Sequence, residues 1–155
     1  MILDGRKLVE ILPLSDLYTV YKEHNRLKVF VHKGRHCVVC DREGVFLLVT
    51  QEKTNKKGKR GKLHVDLYDE DFVLMTVDHI TPKAICKKAG WSRAARERLT
   101  NKQTMCSPCN AKKDSKPLTV EQMRELIPRP IQKGGTELVR QFVHNPNIFN
   151  RSLSF

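Results

Sequence analysis

Apolar residues recur along this chain in short blocks, and each block predicts a small element. Leu8, Ile11 and Leu12 share one helical face before Pro13 interrupts it. Leu14, Leu17, Tyr18 and Tyr21 follow at i, i+3, i+4 and i+7, predicting a second short amphipathic helix. Leu27 to His32 alternates, with Leu27, Val29 and Val31 on one side and Lys28, Phe30 and His32 on the other, as in a half-buried strand. Val45 to Thr50 and Leu63 to Tyr68 are also of strand type, and Asp69-Glu70-Asp71 reads as the turn into a further strand from Phe72 to Val77. These predict a small antiparallel unit.

Later blocks are helical. Pro82 opens a short helix from Lys83 to Ala89 that Gly90 ends, and Ser92 caps a further turn up to Leu99. The single tryptophan, Trp91, is expected to anchor that segment in the core. A helix is predicted from Asn110 to Lys116, stopped by Pro117. Thr119 with Gln122 forms a capping-box pattern ahead of Val120, Met123, Leu126 and Ile127. Pro128, Pro130, Gly134 and Gly135 mark a linker before a last short helix, about Thr136 to Val143, and a tail with Phe149 and Phe155. The pattern is that of an α+β protein divided as a helical extension over 1–30, a central domain over 31–118, and a helix with tail over 119–155.

A chain of 155 residues with 39% hydrophobic and 30% charged residues suits one compact domain with extensions. No run approaches the roughly 20 apolar residues that span a bilayer, and the N-terminus lacks the pattern of a secretory signal. No membrane association is expected, and the location expected is intracellular. The formal net charge of +12 points to a polyanionic partner. Residues 51–62 carry six basic side chains and one acidic, and 82–118 carry ten and two, whereas 63–81 is acidic. Lys56, Lys57, Lys59 and Arg60 stand in a glycine-containing stretch without apolar residues, which predicts a mobile loop able to order on a phosphate backbone.

Five cysteines are an odd number. Four form two C-x2-C pairs, Cys37/Cys40 and Cys106/Cys109, and Cys86 is expected to be a small apolar residue buried on a helix. Two such turns complete a closed tetrahedral thiolate shell for zinc, which leaves no position for substrate and so implies a structural ion. A redox dithiol or an iron–sulfur cluster is the competing use of four thiols. Neither explains the company these cysteines keep: Asp78 and His79, in V-D-H-I-T-P-K, and Asn101 and Asn110, in N-K-Q-T-M-C-S-P-C-N-A-K-K.

At these residues the sequence resembles the HNH family of metal-dependent nucleases, in the variant whose active-site hairpin is bracketed by two C-x2-C pairs. The resemblance runs from about Val31 to about Lys116. It implies a ββα-metal core. Asp78 and Asn110 would hold one magnesium or manganese ion, a pairing of oxygen donors suited to such hard cations. His79 would be the general base that takes a proton from the attacking water. Asn101 would brace the loop carrying that base. Lys112 and Lys113, on the helix that follows Asn110, are candidate phosphate contacts beside the basic loop. The implied reaction is hydrolysis of a DNA phosphodiester to 5′-phosphate and 3′-hydroxyl ends, on duplex DNA, with RNA also open. Oligomeric state, as monomer or homodimer, is left open too. The 65 residues separating Cys40 from Cys106 exceed the tightest versions of the pattern. The rival reading is a zinc-stabilised nucleic-acid-binding module without catalysis.

Overall fold

The computed structural model describes residues 2–3, 5–20 and 24–127; the predicted linker, last helix and tail lie outside them, as does Tyr21. The first element is a surprise. Residues predicted to open the chain as a helix form a hairpin, β1 (Ile2–Leu3) with β2 (Arg6–Leu12), turning at Gly5, whose φ of 76° suits glycine. The reason is a β-bulge. The register of β2 on β3 (Phe46–Gln51) jumps between Leu8, opposite Thr50, and Glu10, opposite Val49. The extra residue, Val9, shifts the alternation, so that Leu8 and Ile11, three apart, both turn inward. A spacing that mimics a helical face is thus a strand with one residue inserted.

A 3-10 turn (Leu14–Asp16) and α1 (Leu17–Val20) follow as expected. The next segment corrects the prediction in the opposite sense: α2 spans Asn25–Lys33, where alternation predicts a strand. Phe30, assigned to the outer side, is fully buried with Leu27, three residues before it, in one cluster. Gly34, at φ 89°, ends the helix by donating its N–H to the Phe30 carbonyl.

β3 pairs with β4 (Leu63–Tyr68), completing an antiparallel sheet of order β1-β2-β3-β4. Period-two alternation divides β3 between two cores. Phe46 and Leu48 pack with Leu8, Ile11 and Tyr68, and Leu47 packs with Leu67, Leu27, Phe30 and the four paired cysteines. The loop from Gln51 to Lys62, expected to be mobile, forms a hairpin tip with hydrogen bonds of its own. Glu52 N–H bonds the Lys62 carbonyl, and the Asn55 side chain accepts from the backbone of Lys57 and Lys59. Lys56, Lys57, Lys59 and Arg60 are all exposed on it.

The acidic stretch 63–81 turns inward. Asp66 is buried and accepts from Arg26 at 2.7 Å and Arg6 at 3.4 Å, joining α2 and β2 to β4. Asp69 is buried, bonded to Arg42 at 2.7 Å, and caps the turn through the N–H groups of Asp71 and Val73.

The second sheet is a hairpin of β5 (Met75–His79) and β6 (Lys102–Cys106), with Met75 opposite Cys106 and His79 opposite Lys102. Its long connection holds α3 (Lys83–Lys88), α4 (Arg93–Arg96), capped by Ser92, and a 3-10 turn (Leu99–Asn101). β6 runs directly into α5 (Ser107–Lys113), which begins three residues earlier than predicted because Cys106 already serves as its N-cap and Pro108 occupies its first turn. α6 (Val120–Leu126) carries the Thr119–Gln122 capping box on both sides. None of the described helices is long and apolar enough to cross a membrane.

Candidate metal centre

Cys37 and Cys40 sit in a turn closed by two backbone bonds, Cys37 N–H to the Arg42 carbonyl and Asp41 N–H to the Cys37 carbonyl, with Asp41 at φ 66°. The Val38 N–H donates to the Thr104 carbonyl, pinning this turn to β6. Cys106 ends β6, and Cys109 lies in the first turn of α5. All four thiols are buried and free of disulfides, and their sulfurs lie within 4.8 Å of one another. Four sulfurs at about 2.3 Å from one zinc ion stand about 3.8 Å apart, and Cys40 and Cys106 are 3.6 Å apart. The set fits a tetrahedral ion.

Protonation strengthens that fit. Hydrogen bonds from Cys106 and Cys109 hold the Cys37 thiol far below its ordinary value. For Cys106 the bond with Cys109 acts downward, but Cys37 and burial outweigh it and push the thiol up to about 12. Cys109 is raised further, first by Cys106 and then by Cys37 and burial. The shifts oppose one another, since the groups that lower Cys37 are themselves raised by it. A dication held by Cys37, Cys40, Cys106 and Cys109 would relieve that opposition, because it favours thiolate at each sulfur it binds.

At the other end of the hairpin lies a polar cluster. Neighbouring strand residues face opposite ways, so Asp78 turns toward α5 and His79 away from it. Asp78 is buried, and its carboxylate accepts from Gln103 at 2.8 Å and from Lys113 Nζ at 2.9 Å. Lys113 also donates to the His79 carbonyl at 2.9 Å and is only 1% exposed. It is therefore an internal ion-pair partner, not the phosphate contact expected of it; Lys112 beside it is exposed. Asn110 donates its amide to Thr76 Oγ1 at 2.8 Å. Thr76 and Asp78 are two apart on a strand, and Asn110 and Lys113 are three apart on a helix, so Asp78 and Asn110 share one strand–helix face. The oxygen donors there suit a hard cation in kind, and the Lys113 ammonium is already a stand-in positive charge on Asp78.

On the opposite face, His79 Nε2 lies 3.3 Å from Glu97, which also receives Lys102 at 3.0 Å. The Lys102 hydrogen bond, reinforced by His79 and opposed by partial burial, holds the Glu97 carboxyl down at about 2. A cleft of about 600 Å³, lined by Lys28, Arg93, Glu97 and Lys102 among others, opens beside this cluster. Asn101 is buried. Its side chain accepts from Thr81 N–H at 2.8 Å and donates to the carbonyls of Arg96 at 3.1 Å and Thr81 at 3.3 Å. Its own carbonyl accepts from Ile80 N–H. Together these bonds fix the chain immediately after His79.

Glu97, Gln103 and Thr76 complete the cluster and have no motif to announce them. For Glu97 a signal existed: it is the only acid between Asp78 and Asp114. Trp91, expected in the core, is 40% exposed, whereas Cys86 is fully buried as expected. Compared with family models, characterised proteins and solved structures, the chain matches none of them.

Proposed function

We propose that this protein is a zinc-stabilised endonuclease of the HNH type that hydrolyses DNA phosphodiesters, with His79 as general base. The observation that carries the reading is the β5–β6–α5 unit: Asp78 and Asn110 lie on one face with a cation already on the carboxylate, and His79 lies across the strand end from them. In-line displacement needs attacking and leaving oxygens on opposite sides of phosphorus. In this reading a phosphate would lie across the end of β5, with the His79 imidazole on one side and the Asp78 carboxylate on the other face.

Asp78 and Asn110 would hold magnesium or manganese in competition with Lys113. Such an ion, when bound, neutralises charge on the leaving 3′ oxygen. Glu97, 3.3 Å from Nε2, orients the His79 ring. Asn101 keeps the turn after His79 rigid. The exposed cations of the hairpin tip and Lys112 attract the DNA backbone independently of sequence.

The test is relaxation of supercoiled plasmid with magnesium, with EDTA, and with His79→Ala. Magnesium-dependent nicking that falls about 10²- to 10⁴-fold in the variant supports the enzyme. The internal pairing of Asp78 with Lys113 and of Asn110 with Thr76 favours a second reading, a nucleic-acid-binding module without catalysis. Salt-sensitive binding with no nicking under any divalent ion would select it.

A further inference from the structure

The connection from β5 to β6 carries a surface that this reading leaves unused. Trp91, the only tryptophan of the chain, is 40% exposed, and Ile80, the residue after His79, is 44% exposed. Both line an open hollow of about 470 Å³ whose other walls are Ala95, Arg98 and the polar Thr81, Thr100 and Asn101. Gly90, at φ 77°, and the Trp91 N–H bond to the Cys86 carbonyl at 2.9 Å hold the indole at this bend.

Its charge identifies the occupant. Lys87, Lys88 and Arg93 are exposed within four residues of Trp91 along the chain, and Arg98 is exposed on the wall of the hollow. None of the four forms an ion pair among the described residues, and the one acid of the segment, Glu97, is taken by Lys102, Lys83 and His79. An aromatic face, an apolar floor, polar edge groups and unspent cations together match a nucleobase with its phosphates. A base inside a duplex has both faces covered, so only an unpaired one can stack here.

We propose that the Trp91 hollow receives an unpaired nucleobase of the DNA strand, stacked on the indole, with its flanking phosphates on Arg98 and the neighbouring lysines. This rests on the nucleic-acid reading above and adds to it a preference for single-stranded, gapped or frayed sites. Because Ile80 and Asn101 belong both to the hollow and to the turn after His79, a base held there sets the register of the strand against the imidazole.

The test uses the full chain, zinc-loaded and carrying His79→Ala to prevent cleavage. A labelled oligothymidylate and the blunt duplex of the same length are titrated separately, reading label anisotropy and tryptophan fluorescence together. Expected is quenching that saturates with the anisotropy, for the single strand in preference to the duplex. Trp91→Ala should weaken single-strand binding by about tenfold or more, with unchanged zinc content showing that the fold persists. Trp91→Phe, followed by anisotropy, should keep most of the affinity, and Arg98→Gln should lower the salt dependence. Binding without quenching, or with Trp91→Ala as tight as the parent, overturns the base-stacking site while leaving the nuclease reading intact. Absence of binding to either form, together with absence of plasmid nicking by the parent, overturns both.

Discussion

The β5–β6 hairpin ends in two clusters, roughly 14 Å apart at about 3.4 Å per residue, that are built on opposite principles. At the Met75–Cys106 end, four sulfur donors of one kind face one another. At the His79–Lys102 end, each group has a partner of a different kind: Asp78 has Lys113 and Gln103, and His79 has Glu97. The sulfur end has the donors and spacing to take an ion. The polar end is electrostatically closed without one, so an incoming divalent ion there must compete with a lysine already in place.

The largest effect should come from the sulfur end. Removing the metal, or Cys106→Ser, withdraws a contribution on the order of 10 kcal/mol or more and is expected to leave the chain unfolded in water. Circular dichroism and zinc content followed through a chelator titration read it, and an unchanged spectrum in the apo protein would show that the sulfurs merely pack. Next is Lys113→Met, which strands the Asp78 carboxylate and should cost about 3 to 5 kcal/mol in urea unfolding. Asp78→Asn should cost a similar amount and the double variant much less than their sum; additive costs would mean the pair is not coupled.

Asn101→Ala removes the acceptor of Thr81 N–H and leaves buried groups unpaired, at about 1 to 3 kcal/mol. A loss of nicking by this variant that exceeds its loss of folded fraction would tie the turn to the base. The smallest effect is acid sensitivity. Glu97 titrates at about 2 in the folded chain, below the unfolded carboxyl at about 4.3. Its stabilisation is therefore complete above the unfolded value and is lost as pH falls through the folded one. Glu97→Gln should flatten stability across that interval, and urea midpoints measured at both ends check it.

The sulfur end was legible because two C-x2-C pairs can bring four thiols to one point, and the structure brings them there. The strands β3 and β4 were legible on other grounds, β3 as an apolar, partly β-branched run and β4 by its alternation. Legibility failed where a local rule had two solutions. Leu8, Ile11 and Leu12 read as a helical face because a bulge at Val9 imitates that spacing. Leu27 to His32 read as a strand because six residues are too few to separate the two periods, and Phe30 decided the matter only through burial. Lys113 read as a surface cation because nothing in N-A-K-K says which lysine turns inward; that depends on Asp78, 35 residues away. The exposure of Trp91 is likewise a property of the bend, not of the residue.

The sheet order carries a practical warning for anyone wishing to shorten this protein. β2, from the first dozen residues, is the outer neighbour of β3, and a cut at residue 31 passes through α2. A fragment beginning there would bare the backbone of Leu47, Leu48 and Val49 along an open edge and strip Asp66 of both its arginines. Such an edge recruits other chains. The minimal excised piece should therefore precipitate even with its thiolate site intact, and the opening hairpin must travel with it.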